Sequence, residues 1–440
     1  MKELRQPDEA LKKILPEQKL LSGKQYVPSV FALPYEWEGR HLWFHTLTRQ
    51  LIEPACPLPD QTSSGSISED EELSALMRGY FLVPEGKDET VFYRDLFQVL
   101  HALVKKKGVK GFTILPTTAC NARCVYCFEE GRKQETMTPE MTERVVDYIS
   151  RVRRPDEIVI EWFGGEPLAA VGVIDSICGQ LEEKDIPFKS SIVTNGSLVT
   201  EEIADRMAGV WKLDHVQVSM DSDEHDYIAR KQYIHYEDQY HKVLNGIRMM
   251  TERGIQVSVR CNVDQKNVEG IPSFLSDLAR AVPDKENVDV YLSGLNDERM
   301  GDSSHAIWEK IVESRALIRS FGFKGEDTRL TLAGIRNHHC KADLGSVVIG
   351  PDGSLYSCEE CHPASRFGNI ADNTEDTAAR NAFCRVDRIR EMCRNCPFLP
   401  ECTPFASCPV QERHCAENRR LRVNEKIREY LSGINREEKR

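Results

Sequence analysis

Apolar, β-rich runs alternate with helical segments through the middle of the chain. The runs lie at residues 112–117, 157–163, 190–194, 215–220, 256–263 and 288–294. The first helical segment begins with Thr138 and Pro139, a capping residue followed by proline at the first helical position. Further helices are predicted near residues 171–183, 200–210, 236–253, 268–281 and 303–320. This alternation predicts an α/β fold, a partial (β/α)6 TIM barrel, with its binding surface at the C-terminal ends of the strands.

The regions on either side of the barrel have different patterns. The N-terminal part shows short strands at 26–53 and a helix running into a strand at 70–83, with a polar loop at 60–72 between them. These features predict an α+β module of winged-helix-like type. The later region is rich in cysteines and turn residues, so metal ligation is expected to contribute to its folding. The predicted domains are the N-terminal module (1–108), the barrel (109–322), the cysteine-rich domain (323–418) and a charged, solvent-exposed helix (419–440).

Composition and charge limit the possible partners. The 440 residues carry a formal net charge of −12, which argues against wrapping nucleic acid. The chain has no apolar run of about 18 residues, the length that a membrane-spanning helix requires. Its first residues lack the apolar centre of a secretory signal. We therefore expect a cytoplasmic protein with no nucleic-acid and no membrane partner.

The 15 cysteines fall into two groups. In a reducing compartment, dense cysteines are more often metal ligands than disulfides. Cys56, Cys178 and Cys261 stand apart, and we expect them to be buried or inert thiols. The first group is Cys120, Cys124 and Cys127; the second is Cys340, Cys358, Cys361, Cys384, Cys393, Cys396, Cys402, Cys408 and Cys415.

The first group has the spacing C-x3-C-x2-C and follows the first barrel strand. A disulfide would leave one of the three thiols unpaired. A structural zinc needs four ligands, and this segment has no local fourth, so a zinc site would need a distant Cys or His. An iron–sulfur cluster with three thiolates and one open iron is the more economical interpretation. The open iron is where a substrate or cofactor would bind.

Other polar motifs end the strands that follow. Gly164, Gly165 and Glu166 come directly after the second strand. Adjacent glycines allow a close backbone approach to a ligand, and the carboxylate suits a cationic amine. The segments "TNG" (194–196), "SMD" (219–221) and "RCN" (260–262) place polar groups at the next strand ends. The rim of the barrel is therefore the predicted active site.

These motifs are similar to those of the radical S-adenosylmethionine (SAM) enzymes. "CNARCVYC" (120–127) resembles their cluster motif, and "FGGEPL" (163–168) their motif for the SAM amino group. "SMDSDEHDYIAR" (219–230) resembles a further family segment, with Ser222 where glycine is usual. The resemblance covers roughly residues 111–300.

The resemblance implies both cofactors and their contacts. Cys120, Cys124 and Cys127 would hold a 4Fe–4S cluster, and SAM would bind its open iron. Cleavage of SAM would give a 5′-deoxyadenosyl radical that removes a hydrogen atom from substrate. The implied SAM contacts are Tyr126, Gly164, Gly165, Glu166, Asn195, Ser219 and Arg230. For Tyr126 the alternative is that it is a partly buried core tyrosine with no contact to SAM.

The second cysteine group is similar to the SPASM extension of these enzymes, which carries two auxiliary 4Fe–4S clusters. One departure is that five residues separate Cys402 from Cys408, where three are usual. A zinc ribbon is the competing interpretation, but it leaves several of these cysteines unexplained. Cys384 is expected to be a bystander. The outer cluster would take Cys393, Cys396, Cys402 and Cys415; the inner one would take Cys340, Cys358 and Cys408, with Cys361 or a substrate thiolate as fourth ligand.

Enzymes with this extension usually modify peptides or proteins. The segment "WFHTLTRQLIE" (43–53) resembles one that precedes the barrel in peptide maturases, whose modules bind a leader peptide as an added strand. A structural cap on the barrel is the alternative for this module. The predicted function is a maturase that crosslinks a ribosomally made precursor peptide, with a cysteine thioether as the product. Glu359 is the candidate base for removing a proton from the substrate. The alternative is that Glu359 is a surface carboxylate without a catalytic role. The expected partners are the precursor peptide with its leader and an electron donor of flavodoxin or ferredoxin type.

Other functions remain open. Within radical chemistry they are carbon–carbon crosslinking, epimerisation, and oxidation of a sulfatase residue. From a different class, a non-catalytic iron–sulfur electron carrier or a zinc-binding scaffold would explain the cysteines. Neither of those has any need of the Gly-Gly-Glu motif.

Overall fold

The computed structural model describes residues 1–6, 11, 13–104, 108–235, 237–295, 304–325, 345–384, 389–402 and 415–437. In the N-terminal region, strands β1, β5, β4 and β3 form one antiparallel sheet, and β6, β2 and β7 form another. The elements here are β1 (Lys2–Arg5), β2 (Gln25–Pro28), β3 (Ala32–Trp37), β4 (Arg40–His45), β5 (Leu51–Glu53), β6 (Thr62–Ser63), α1 (Ser64–Glu69), α2 (Glu71–Arg78), β7 (Leu82–Pro84) and α3 (Glu89–Val104).

The segment predicted as a polar loop at 60–72 is mostly structured. The side chain of Ser63 accepts a hydrogen bond from the backbone of Ser66, which caps α1. Ile67 anchors this short helix because its side chain is fully buried. The composition of the segment is polar, but one capping serine and one apolar residue are enough to order it against the module.

Six parallel strands in chain order form the centre of an 11-stranded sheet. Each of these strands pairs with the next in parallel register. Strand β14 (Lys324–Gly325) extends the sheet beyond the sixth strand, and β15 (Ser346–Ile349) pairs in parallel with the first. This arrangement confirms the α/β fold with a large parallel sheet. The six strands are β8 (Gly111–Thr117), β9 (Ile158–Gly164), β10 (Phe188–Thr194), β11 (Leu213–Met220), β12 (Gln256–Val263) and β13 (Val288–Gly294).

Helices connect these strands and cover their outer face. The first, α4, begins at Pro139 with Thr138 as its cap, as the sequence predicts. Helix α7 is not predicted by the periodicity; Asp223 caps its start and Gln232, in a left-handed conformation, ends it. The helices are α4 (Pro139–Val152), α5 (Val171–Glu183), α6 (Glu201–Ala208), α7 (Glu224–Lys231), α8 (Gln239–Thr251), α9 (Ile271–Ala281) and α10 (Ser304–Ser320).

Alternation along the strands separates the core from the site. On β11, Val216 and Val218 are fully buried in the apolar cluster shared with the helices, while Gln217 and Ser219 point to the opposite face. The same alternation on β12 turns Arg260 inward. These strands therefore present polar side chains to the inner face of the sheet, and the main apolar packing lies between the sheet and the helices.

The C-terminal region continues the sheet and returns to the N-terminal module. The segment "GPDG" forms the turn between β15 and β16, with Gly353 at a φ of +80°. Strands β17 and β18 complete the antiparallel edge. The remaining elements are β16 (Ser354–Tyr356), β17 (Arg366–Asn369), β18 (Thr374–Glu375), α11 (Thr377–Phe383), α12 (Leu399–Cys402) and α13 (Cys415–Glu437).

The terminal helix α13 is not the fully solvated helix that its charge predicts. It buries Val423, Ile427 and Leu431 against the N-terminal sheet around Leu42 and Phe44. These apolar residues recur at a spacing of four, so they form one stripe on an otherwise charged helix. None of the helices that the structure describes is both long and apolar enough to cross a membrane.

Candidate active site

A cavity of about 310 Å³ lies at the C-terminal ends of the six parallel strands. Its walls come from the loop after β8 and from the ends of β9 to β13. This is the position that the fold favours for binding, because side chains from several strand ends meet there. The lining includes Cys120, Cys124, Tyr126, Cys127, Phe128, Glu129, Phe163, Gly164, Gly165, Thr194, Asn195, Gln217, Ser219, Lys231, Arg260, Asn262, Gly294, Leu295 and Glu360.

The loop that carries the first cysteine group is held by the end of α7. The backbone N–H of Arg123 donates to the carbonyl of Lys231 at 3.0 Å, and that of Val125 to Arg230 at 3.0 Å. These carbonyls are helix C-terminal groups without partners inside the helix. The loop therefore satisfies α7 and is positioned by it.

All three cysteines of this loop line the same cavity. Burial raises the pKa of Cys120 to about 11, and nearby Glu166 and the other two thiols add to the effect. Burial also raises the pKa of Cys124, against the opposing charge of Lys231. The Cys120 sulfur accepts the backbone N–H of Ala122 at 3.4 Å. A set of three sulfur donors with no nitrogen or oxygen ligand among them suits an iron–sulfur cluster.

Gly164 and Gly165 line the cavity and allow β9 to pass very close to the cysteine loop. A Cβ on Gly165 would lie 2.3 Å from the carbonyl oxygen of Ala119, and one on Gly164 would lie 2.5 Å from that of Thr117. Gly164 also has a φ of +113°, which only glycine adopts readily. The backbone N–H of Glu166 donates to Ala119 O at 2.9 Å. The glycines are thus required by the neighbouring loop as well as suited to a ligand.

Glu166 lies below the cavity rather than in its lining, as far as the described residues define it. Its carboxylate accepts hydrogen bonds from Thr194 Oγ1 (2.6 Å), the Asn195 N–H (2.8 Å) and the Leu168 N–H (3.1 Å). Burial raises its pKa, and these three bonds oppose the rise. Because both oxygens already hold protein donors, Glu166 ties the ends of β9 and β10 together. An amine in the cavity would meet the glycine backbone first.

The other predicted SAM contacts divide into two sets. Asn195, Ser219 and Tyr126 reach the cavity lining. The Tyr126 hydroxyl donates to Asp221 at 2.8 Å, so the ring is fixed as well as buried. Arg230 points away, into ion pairs with Asp221 (3.0 Å) and Asp264 (2.9 Å).

Lys231 is the cavity cation that the sequence motifs do not identify. Only 2% of its side chain is exposed, and its Nζ donates to Ser219 Oγ at 3.1 Å. Burial on its own lowers the pKa of this lysine, but Tyr126, Cys124 and Asp221 together raise it well above the usual value. The side chain is therefore a charged donor beside the cysteines. Its direction depends on α7, which the periodicity does not predict.

A loop from the cysteine-rich region closes one side of the cavity. Arg132 pairs with Glu129 at 2.6 Å and also donates to the carbonyl of Glu360, so it joins the two loops. Glu360 lines the cavity, whereas the predicted base Glu359 lies outside the described lining. Cys361 is nearby, and burial raises its pKa to about 12 while Arg132 opposes the rise.

Three pairs of cysteines are each closed by a backbone hydrogen bond between residues three apart. The N–H of the second cysteine donates to the carbonyl of the first at 3.0 Å in Cys124–Cys127, 2.9 Å in Cys358–Cys361 and 3.2 Å in Cys393–Cys396. Such a turn brings residues three apart close together. A bidentate clamp on a metal centre requires this arrangement of thiols.

The remaining cysteines are placed unevenly. Cys415 begins α13, and the backbone of Cys402 ends α12. Cys178 and Cys261 are fully buried as predicted, whereas Cys56 is exposed. Cys384 and Cys358 both pack against Phe383, so the predicted bystander lies close to a predicted ligand. Cys340 and Cys408 lie outside the described residues.

Comparison with known proteins agrees with this site. Residues 114–278 match the family model of the Radical SAM superfamily. The chain is similar to the radical SAM cyclopropyl synthase TigE of Paramaledivibacter caminithermalis, with 21% identity over 408 residues, 81% of each chain. It is also similar to the PqqA peptide cyclase of Granulibacter bethesdensis, with 21% identity over 308 residues, 64% of this chain and 77% of that one.

A solved structure, native anSMEcpe with bound AdoMet, has a TM-score of 0.59 and 17% identity, covering 74% of this chain and 99% of the other. At this identity the likeness shows the fold. Together with the family match, it confirms the resemblance that the motifs indicate: residues 114–278 form a radical SAM domain. This family implies a 4Fe–4S cluster and SAM. The three thiols, the glycine backbone and the open cavity beside them fit both groups.

Proposed function

We propose that the protein is a radical SAM maturase that modifies a ribosomally made precursor peptide. The main observation behind this proposal is a cavity lined by three cysteines, by Gly164 and Gly165, and by a loop of the cysteine-rich region. The name of the PqqA peptide cyclase supports a peptide as the substrate class. The cavity opens beside Phe128, which is 52% exposed and stacks with Phe163 at 6.3 Å between ring centroids. Such an aromatic surface suits a peptide side chain.

In this proposal Cys120, Cys124 and Cys127 hold the cluster, and the glycine backbone accepts the SAM amine. When bound, cluster and SAM supply the radical that removes hydrogen from the substrate. Lys231 and Ser219 hold the SAM carboxylate, because the ammonium group of Lys231 is charged and is already oriented by its hydrogen bond to Ser219. Tyr126 shields this side of the cavity from water and is held there by Asp221.

We assign the auxiliary ligands as the SPASM resemblance implies. Cys393, Cys396, Cys402 and Cys415 would hold the outer cluster, and Cys340, Cys358 and Cys408 the inner one. Cys361 or a substrate thiolate completes the inner cluster. The Cys358–Cys361 turn beside the cavity supports a role near the substrate, since Arg132 joins its loop to the loop after Cys127.

The N-terminal module would hold the leader peptide. Strand β3 is an edge of its sheet and pairs with β4 alone among the described strands. An edge strand offers unpaired backbone donors and acceptors, which an extended peptide satisfies by adding a strand. A flavodoxin or ferredoxin-type donor would supply electrons.

The proposed product is a thioether from a substrate cysteine to carbon. Carbon–carbon crosslinking, epimerisation and sulfatase-type oxidation are alternatives within the same chemistry. Co-expression with a small open reading frame beside the gene, followed by mass spectrometry, separates them. Loss of two hydrogens per link, with a substrate cysteine protected from alkylation, supports the thioether. Unchanged mass with deuterium uptake supports epimerisation.

Anaerobic reconstitution tests the proposal as a whole. The holoenzyme is expected to bind iron and sulfide and to form 5′-deoxyadenosine from SAM under reducing conditions. Cys120→Ala is expected to abolish that product, while Cys56→Ala, at an exposed cysteine, leaves it unchanged. A fully reconstituted, reduced enzyme that leaves SAM intact would exclude radical SAM catalysis.

A further inference from the structure

Arg260 is a second cation of the cavity, and we propose that it binds a carboxylate of the substrate. The carboxylate is either an acidic side chain or the free chain terminus of the peptide. The inference rests on the proposed function and names a chemical feature of its substrate.

Arg260 occupies the middle of β12, on the strand face that lines the cavity. Its register partners are Ser219 on β11 and Tyr291 on β13. The guanidinium turns toward β13, where Nη2 donates to Ser293 Oγ at 3.1 Å. The neighbouring lining on this side is Gly294 and Leu295. This part of the cavity belongs to the last barrel strands, whereas the cysteines follow the first.

The guanidinium has few partners. Its Nε is shielded from solvent and makes no hydrogen bond. Within the part of the chain that the structure describes, Ser293 is its hydrogen-bond partner, and no carboxylate pairs with it. The hydroxyl of Tyr291, its cross-strand neighbour, is committed to Gln217 at 2.8 Å. Arg230, by contrast, is held by two carboxylates.

A cation in this position favours an anionic ligand. A guanidinium carries five N–H donors in a planar fork, and a partly desolvated charge without a counter-ion is costly. A carboxylate matches the fork with two parallel hydrogen bonds. In the proposed function Lys231, which is hydrogen-bonded to Ser219, binds the one carboxylate that SAM carries. Arg260 is therefore available for a carboxylate of the peptide.

Equilibrium binding to the reconstituted full-length enzyme with SAM tests the inference. The probes are N-acetyl-aspartate N-methylamide, its neutral isostere N-acetyl-asparagine N-methylamide, and N-acetylalanine with a free carboxylate. We expect at least one acidic probe to bind about ten-fold or more tightly than the neutral one, because hydrogen bonds to charged groups carry this difference. The acidic probe that binds distinguishes a side chain from a chain terminus.

The variants R260Q and R260K connect the preference to the residue. In R260Q the affinity for the acidic probe is expected to fall to that for the neutral probe. R260K is expected to retain part of the preference for the acidic probe. Equal binding of acidic and neutral probes to the unaltered enzyme overturns the inference and needs no variant. Loss of SAM affinity in R260Q also overturns it, by assigning Arg260 to SAM. Either failure leaves SAM cleavage by the unaltered enzyme intact, whereas failure of the proposed radical SAM catalysis appears as a reconstituted, reduced enzyme that does not cleave SAM.

Discussion

Two neighbouring side chains at the end of α7 have opposite roles. Arg230 is buried between Asp221 and Asp264, and Lys231 reaches the cavity. Adjacent residues on a helix point about 100° apart, so one faces the protein and the other faces the cavity. The family segment that ends at Arg230 indicates a basic residue here, and the helix places the next one in the cavity.

Replacing Lys231 with methionine tests its assignment to SAM. We expect SAM affinity of the reconstituted enzyme to fall about 10- to 100-fold, because a charge-assisted hydrogen bond is lost. K231R should retain more of the affinity. The exposed Lys242→Met is the control and should bind SAM normally. Unchanged SAM binding by K231M would remove Lys231 from the SAM site.

Ser222, which stands where related enzymes usually have glycine, is matched by a glycine elsewhere. A Cβ on Gly270 would lie 2.3 Å from Ser222 Oγ and 2.7 Å from Asp223 Oδ2. Ser222 is fully buried, and its hydroxyl has no hydrogen-bond partner in the described structure. The extra oxygen on one side is thus accommodated by the missing carbon on the other.

This pairing predicts coupling between the two positions. Gly270→Ala should lower the free energy of unfolding by about 1–3 kcal/mol through overpacking. In the double variant, Ser222→Gly should recover part of that loss. The rest of the loss should remain, because the new Cβ would still lie too close to Asp223. Chemical denaturation of the four proteins gives the coupling as a double-mutant cycle. Strictly additive effects would show that the two positions do not interact.

At the scale of elements, close approaches hold the site together. The ends of β9 and β10 meet through Glu166, and the cysteine loop is attached to the end of α7 by backbone hydrogen bonds. Each contact joins segments distant in sequence. Such contacts fix the loop before any ligand binds, which reduces the ordering that binding requires.

In the N-terminal module, β4 ends at a buried histidine, and we expect this residue to make the stability of the module depend on pH. His45 is 1% exposed, accepts the Thr48 N–H at 3.1 Å, and lies edge-on to Phe81 at 5.3 Å between ring centroids. Burial lowers its pKa to about 3, against an ordinary value of 6.5. Between these values the unfolded chain binds a proton that the folded chain does not, so stability falls as the pH falls from 6.5 toward 3.

Between pH 6.5 and pH 5 this histidine should reduce the free energy of unfolding by about 1.6 kcal/mol. Denaturation of the full chain at both pH values measures the effect, with H45Q as the comparison. The unaltered protein should lose more stability on acidification than H45Q. An equal acid response in the two proteins would contradict the assignment.

At the scale of the whole molecule, the N-terminal module and the cysteine-rich region are parts of one assembly. Asn395 donates its backbone N–H to Thr90 Oγ1 at 2.9 Å, and Thr46 Oγ1 donates to Pro397 O at 2.6 Å. Cys393 and Cys396 pack against the aromatic cluster of the module that includes Phe31. Helix α13 begins at Cys415 and packs on the same module. We therefore expect a change at the proposed outer cluster to alter the packing of the module where the leader peptide is proposed to bind.

Ile427→Ala on α13 should lower the stability of the full chain by about 2–5 kcal/mol, the usual cost of a cavity at such a site. Glu417→Ala, at an exposed position on the same helix, is the control and should change stability by about 0.5 kcal/mol or less. Thermal unfolding of the two variants measures the difference. Equal stability would show that α13 adds little to the packing of the N-terminal sheet.

The sequence alone determined the α/β fold with its parallel strands and the cysteine motif that follows the first of them. The six strand runs and the cap at Thr138 are local signals, because alternation and helix capping act between near neighbours in the chain. The C-x3-C-x2-C spacing and the double glycine are equally local. Their chemistry requires neighbouring residues, so the radical SAM resemblance could be read without a structure.

Only the tertiary structure decided which polar residues face the cavity. Glu166, Arg230 and Glu359 belong to suitable motifs but lie outside the described lining, while Lys231 and Arg260 reach it. The direction of each side chain depends on strand register, on where α7 ends, and on contacts with residues far along the chain. The burial of one face of α13 likewise depends on a partner sheet from the other end of the chain. Such choices are made by packing between distant segments, which a local pattern does not contain.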